Sequence, residues 1–403
     1  MPEQPSILFV NRVFPPDRGA TGRVLADLAE RATARGWRVT VLADGAGEAI
    51  VRRGVRVVRT GAGADRPWAR GYLAALARLV ARGLTLPRHD VVVTMTDPPF
   101  LALAGPLLSA RHGAALHWCH DLFPALLPVL GVRLPAPLAG ALDAAMGLAL
   151  RRHGAVVAIG RCMAARLAEL GVARERLSVV PNWADPQIRP LPREGNPLRR
   201  ELGLGGRFTV AYAGNMGLAH PMDSVLDAAA ALPEAAFLLV GEGRGRDAVA
   251  RAVRARGLAN VHVLPFQPPG RLGETLAAAD VHLASMDVRA EGMLVPCKVA
   301  GVLAAGRPCL FLGPAGCEAA RRVVEHECGM MLDPRDGAGL AAAIRGYAAD
   351  PERRAAEGAR ALRAAGLWGA DMAAERFLAV AAALRRPAMD PVRVAPMPER
   401  PRG

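Results

Sequence analysis

Short apolar runs rich in Val recur along this chain, most of them followed by a polar or glycine-rich loop and an amphipathic helix, and the whole alternation starts twice. In the first half the runs fall at 7–10, 38–43, 55–58, 91–94, 115–118, 156–159 and 177–180. In the second they fall at 208–213, 237–240, 261–264, 281–284 and 309–312. Strands apolar on both faces belong inside a parallel sheet, and the intervening helices supply the crossovers that parallel strands need. The fold class is therefore α/β, with two doubly wound parallel-sheet domains. Between them, residues 183–207 break into Pro- and Gly-rich segments. The expected division is a first domain over 1–186, a linker over 187–207, a second domain over 208–370, and a last helix over 371–386 returning to the first domain. Residues 387–403, rich in Pro and Arg with no apolar period, read as a disordered tail.

Hydrophobic residues make up 52% and charged residues 22%, so a chain of this length has material for two cores, filled mainly by Ala, Leu and Val because aromatics are 4%. The six cysteines form no C-x-x-C pair and read as reduced thiols of a cytoplasmic protein. No signal peptide and no membrane-spanning run is expected. The net charge of +14 is uneven: residues 1–190 hold 24 Arg against 14 Asp and Glu, while residues 191–403 hold 27 basic against 23 acidic residues. A basic first half suits an anionic partner such as a phospholipid surface or a lipid-linked phosphate. Nucleic acid is disfavoured, because Arg is not interleaved with aromatics. The apolar, Pro-broken stretch 122–150 fits a lipid-facing surface, with a domain-packing segment as the other reading.

Lys298 is the only lysine among 51 basic residues. An ammonium is a compact charge on a thin stem, suited to a phosphate in a tight site where a guanidinium fork does not fit. Pro296 suits the first position of a helix and Gly306 its cap, which would place Lys298 in the first turn beside a bound anion. Two glycine loops follow strands: Gly214-Asn215-Met216-Gly217 with His220 beyond, and Gly241-Glu242-Gly243-Arg244-Gly245. Both can bring backbone N–H groups close to a phosphate, and His220 can donate to one. Glu291 precedes Lys298 by seven residues and suits sugar hydroxyls, with the amides of 293–295 beside it. In the first half His120 and Asp121 follow a strand end; Asp121 also reads as a cap of the next turn.

The segments Phe14-Pro-Pro-Asp-Arg-Gly-Ala20, Asp97-Pro-Pro-Phe100, Asp121-Leu-Phe-Pro124 and Val180-Pro-Asn-Trp-Ala-Asp185 carry a further signal. So do Tyr212-Ala-Gly-Asn-Met-Gly217, Gly241-Glu-Gly243, Glu291-Gly-Met-Leu-Val-Pro296 and Ala304-Ala-Gly-Arg-Pro308. As a set they resemble the retaining glycosyltransferases of family 4, over residues 5–385, most closely the WbuB-type sugar transferases of bacterial polysaccharide assembly. The resemblance implies the GT-B fold, two Rossmann-like domains facing a cleft. It implies a nucleotide-sugar donor, a UDP-sugar by default, bound by the second domain, and a lipid-linked or saccharide acceptor on the first. Transfer would retain anomeric configuration, with no metal and no cofactor. By resemblance Glu291, Lys298 and His120 are catalytic. Gly19, Gly214, Asn215, Gly217, His220, Gly241, Glu242, Phe266, Met293, Leu294 and Val295 bind the donor, and Phe14, Asp121 and Phe123 the acceptor. The expected location is the cytoplasmic face of the inner membrane, held peripherally.

The chain departs from the broader family at two places. Val299 stands where a second Glu holds the ribose, and the loop that elsewhere carries an Arg and a Lys has Asn215 and His220. The WbuB-type branch reads Gly-Asn in that loop and Pro-Ser-Lys near the second Glu position, which Gly-Asn215 and Pro-Cys-Lys298 match. A sugar-nucleotide epimerase that does not hydrolyse its substrate and a non-catalytic partner subunit of the same architecture remain as alternatives.

Overall fold

A computed structural model describes residues 4–17, 19–47, 49–61 and 68–385. The first sheet contains β1 (Ser6–Val10), β2 (Arg38–Ala43), β3 (Ile50–Arg52), β4 (Val55–Arg59), β5 (Val91–Thr94), β6 (Ala114–Cys119), β7 (Ala155–Ala158) and β8 (Leu177–Val179). Their spatial order is β3-β4-β2-β1-β5-β6-β7-β8, all parallel except the β3–β4 edge pair. Helices α1 (Ala20–Ala34), α2 (Trp68–Thr85), α3 (Gly105–Arg111), α4 (Ala136–Arg152) and α5 (Arg161–Glu169) connect the strands. Helix α1 shows the local logic: Leu25, Leu28, Ala29 and Ala32 share one face and are buried, and Gly36, with φ +84°, ends the helix in a backbone form that a side chain would oppose.

The second sheet runs β11-β10-β9-β12-β13-β14, wholly parallel, from β9 (Thr209–Ala213), β10 (Ala236–Val240), β11 (Val261–Leu264), β12 (Val281–Ser285), β13 (Cys309–Leu312) and β14 (Gly329–Leu332). Preceding it is α6 (Pro197–Glu201); around it lie α7 (Asp223–Ala231), α8 (Arg246–Ala255), α9 (Leu272–Ala277), α10 (Lys298–Ala304), α11 (Glu318–Glu325), α12 (Gly337–Ala349) and α13 (Pro351–Gly366). Helix α14 (Ala370–Ala383) packs on the first domain, with the Phe377 ring 6.0 Å from Phe9 and 4.9 Å from Trp118. In each sheet the strand order reverses direction at one point, between β1 and β5 and between β9 and β12, which is where such sheets hold ligands at their carboxyl ends.

Two expectations are corrected here. Residues 187–207 are not a plain linker: Asn196 caps α6 by accepting the Arg199 N–H at 3.2 Å, and Leu198 and Leu204 are buried with Ala211 and Leu238 of the second sheet. The stretch 122–150 is divided. Leu126 and Val129 pack with Met286, Leu294 and Phe311 of the second domain, so this part joins domains and does not face lipid. Helix α4 instead seats Met146 and Leu150 in the first core and leaves Leu138 exposed. The expected tail, 387–403, lies outside the described residues.

Candidate active site

The Lys298 side chain rises from the first turn of α10, and its Nζ hydrogen-bonds the hydroxyl of Tyr212 on β9. Nζ also stands 4.0 Å from the centroid of the Tyr212 ring, and the stem passes Gly214 so closely that a Cβ there would meet Cε at 3.1 Å. Among the described residues no carboxylate pairs with this ammonium. The side chain retains some exposed surface, but its amino end lies in dry surroundings that push its pKa down to about 7. Desolvation is the main cause, and nearby thiols offset it only in part. Helix α10 starts at Lys298 behind Cys297, so Pro296 falls outside it, contrary to the sequence reading; Gly306, with φ +67°, follows the cap Ala305 as expected. With seven residues α10 adds little field of its own, and the anion-attracting feature is the side chain.

The two glycine loops lie against each other beside this lysine. Gly214 N donates to Val240 O at 2.9 Å, Met216 N to Glu242 O at 2.7 Å, and Gly245 N to Met216 O at 2.8 Å. A Cβ on Gly241 would stand 1.9 Å from Gly214 O, and one on Gly243 2.3 Å from Asn215 Oδ1. These glycines therefore serve loop-against-loop packing, and several of the amides expected at a phosphate are already bonded. Asn215 is exposed at the crest. Glu242 pairs with Arg246 at 3.7 Å, and Phe266 is half-buried past β11. His220 Nδ1 donates to Ser285 O at 2.5 Å. Burial first, then Lys298, pushes its pKa down to about 3. In the neutral ring only Nδ1 carries a proton, so His220 presents an acceptor at Nε2, not the phosphate donor expected.

The 291–295 loop crosses to the first domain. The Glu291 carboxylate is exposed and lies over Gly316, where a Cβ would stand 1.8 Å from Oε1. Met293 N and Leu294 N both point to Ala290 O, at 2.9 and 3.4 Å, so these amides are not offered to a donor sugar as expected. Met293 O accepts the Leu122 N–H at 2.7 Å, Leu294 forms an antiparallel bridge with Asp121, and Val295 packs at Gly160. Close by, Glu318 is fully buried and accepts from Arg161 N at 2.8 Å, Nε at 3.0 Å and Nη2 at 3.2 Å across the same seam.

On the first domain, His120 is 5% exposed, with its ring 4.7 Å from Trp118 and Nδ1 3.4 Å from Asn182 Nδ2. Its Nε2 has no partner among the described residues, and burial pushes its pKa down to about 3, so the ring is neutral. Asp121 is half-buried, and desolvation, then the Asp97 charge, push its carboxyl up to about 7. Asp97 is held by Arg12 through two bonds of 2.6 and 3.0 Å. Phe123 is half-buried, 6.1 Å from Phe100. Phe14, expected on the acceptor side, is 2% exposed and belongs to the first core; its side chain cannot meet an acceptor. Gly19 caps α1, and a Cβ there would meet Val13 Cγ1 at 2.8 Å, a packing need sufficient to explain the glycine. The sequence reading missed Tyr212, Arg12, Asp97 and Glu318 as parts of this region. Tyr212, two residues before the glycine loop, and Asp97 stand in segments that carry the resemblance; Arg12 and Glu318 do not.

Residues 19–183 match the model of the glycosyl transferase 4-like domain, and residues 207–350 that of the glycosyl transferases group 1. The chain carries one domain of each family. It is similar to the probable glycosyltransferase WbjE of Pseudomonas aeruginosa, 29% identical over 264 residues that cover 64% of this chain and 66% of that one. It is also similar to the putative colanic acid biosynthesis glycosyl transferase WcaI of Escherichia coli K12, 27% identical over 241 residues covering 50% and 58%. The chain thus spans just under two thirds of the first relative and less of the second. Anabaena HepE, solved in complex with UDP, superposes with a TM-score of 0.69 over 94% of this chain and all of that one, at 18% identity. The shared fold is GT-B, with the glycosyl transferase 4-like domain first and the group 1 domain second.

Proposed function

We propose that this chain is a retaining, metal-independent glycosyltransferase that moves a sugar from a UDP-sugar to a lipid-linked or saccharide acceptor in cell-surface polysaccharide assembly. The observation that carries this reading is Lys298: a cation with no carboxylate partner among the described residues, lying against a glycine loop at the reversal point of the group 1 sheet. HepE, with the same fold, binds UDP, and it has also been solved with UDP-glucose. In the reaction the bond from the anomeric carbon to the diphosphate oxygen breaks. The acceptor oxygen attacks the same face, and its proton passes to the departing phosphate. Lys298 offsets the charge that develops on that diphosphate, the kind of term that commonly dominates such catalysis. Glu291 takes donor-sugar hydroxyls from its perch on Gly316. Asp121, bridged to Leu294, places the acceptor beside the donor sugar. His120 stands behind Asp121 as a neutral contact for acceptor hydroxyls.

The basic first half and the partly exposed α4 favour attachment at the cytoplasmic face of the inner membrane; no described helix is long and apolar enough to cross one. Purified protein, UDP-sugars and polyprenyl-diphosphate saccharides, compared with Lys298→Ala, test the reading. Transfer with a retained anomeric signal, lost in the variant, is the expected result. An epimerised nucleotide sugar, or no turnover with any donor, would instead select the epimerase or the partner-subunit reading.

A further inference from the structure

Tyr212 is wholly buried at the end of β9, yet its hydroxyl reaches two parts of the site. The phenol has one proton. The hydroxyl donates it to the backbone carbonyl of Asn215 at 2.7 Å, so toward Lys298 it can only accept. The ring face, 4.0 Å from Nζ, adds attraction for the charged form alone. A carboxylate in this place would also hold the ammonium, but it would neutralise the charge and repel a diphosphate. A neutral phenol fixes the cation and leaves its charge for a ligand.

We propose that Tyr212 is the positioning residue of the donor site, locking the Lys298 ammonium and the 214–217 loop to one another through a single hydroxyl. The proposal rests on the UDP-sugar reading above. Four other groups bear on Nζ from the elements packed around it: Cys297 just before α10, Cys309 from β13, His220 from the loop, and Tyr212 itself. No carboxylate is among these to take over if the hydroxyl is removed. In Tyr212→Phe the ring stays, while one ammonium N–H and the Asn215 carbonyl lose their partner, which disfavours the protonated amine.

Because the chain has one lysine, selective labelling with lysine carrying 13Cε yields a single side-chain resonance whose shift reports its protonation. In the wild-type protein the expected midpoint is near 7, and in Tyr212→Phe it falls by about one pH unit. UDP affinity at pH 7, by calorimetry, falls about fivefold in the same variant, as the ammonium fraction does, with the melting temperature as a check on folding. An unmoved midpoint overturns the proposal, whether or not affinity falls, since a packing defect alone would weaken binding without touching the titration. If the variant does not fold, the 13Cζ shift of Tyr212 in the wild-type protein decides instead: it tracks the lysine midpoint if the hydroxyl accepts from the ammonium, and stays flat if not. A shifted midpoint in a protein that binds no UDP supports the Tyr212–Lys298 link and overturns the UDP-sugar reading.

Discussion

At the residue scale, the site is an exercise in keeping one charge both dry and available. Lys298 has its ordinary pKa of 10.5 lowered to about 7 by burial, so near neutrality the free protein holds a mixture of amine and ammonium. A bound diphosphate favours the ammonium, and the coupling has a definite sign: UDP affinity falls as pH rises through 7, and binding at pH 8 takes up a proton. Calorimetry at pH 8 in two buffers of different ionisation enthalpy is expected to show uptake approaching one proton. Zero uptake would mean that the ammonium is not the group UDP meets. The sequence revealed this residue because composition isolates it. It did not reveal the partner, since nothing in a Tyr two residues before a glycine tells which way its hydroxyl points. His220 failed for a related reason: its proton is committed to the Ser285 carbonyl, a contact made across 65 residues of sequence.

Elements with a strong local signal were legible to the residue. Strands β2, β5, β11 and β13 begin and end where the apolar runs do, and each run meets a turn-forming residue at one end at least: Asp44, Asp90, Asn260 and Gly313. Strand β14, Gly-Met-Met-Leu, has no β-branched residue and lies at a sheet edge, so nothing local marks it. Helices α12 and α13 did carry readable starts in Asp336 and in Asp350-Pro351, whose carboxylates accept N–H groups three residues on. Helix α6 was hidden inside Pro- and Gly-rich sequence, yet it anchors one of the most connected side chains here. Arg199 donates to Thr209 Oγ1 at 2.7 Å and to the carbonyls of Ala278, Gly205 and Arg207 at 2.8, 2.9 and 2.8 Å. Arg199→Ala leaves several buried acceptors unpaired and is expected to lower the stability of the second domain by about 3 kcal/mol, read from urea unfolding. A change under about 0.5 kcal/mol would show that α6 is the linker its composition suggests.

For the whole molecule, the telling feature is how the group 1 domain meets the 4-like domain. The loop carrying Glu291 is stitched to Asp121 and Leu122, and Glu318 accepts the free N–H at the start of α5 from the opposite domain. In the sequence the 293–295 amides read as ligand groups, because the Asp121 and Leu122 partners that join them to the first domain lie far away along the chain. The apolar character of 293–295 belongs to this seam. Glu318→Ala removes the acceptor for three Arg161 donors and leaves Arg322 without its nearest carboxylate, 3.8 Å away. The two domains are expected to part, with a larger radius of gyration by small-angle scattering, and the second domain melts at a lower temperature because Arg322 is left buried without a counter-charge. An unaltered radius would show that the backbone bridge at Leu294 suffices to hold them.

Everything proposed for the chemistry requires UDP to meet the single ammonium. Calorimetric titration of UDP into the wild-type protein and into Lys298→Ala at pH 6.5 tests this most directly. The account predicts a loss of affinity of about a hundredfold in the variant, the scale of one charge-assisted contact to phosphate in dry surroundings. Equal affinities in the two proteins would contradict it.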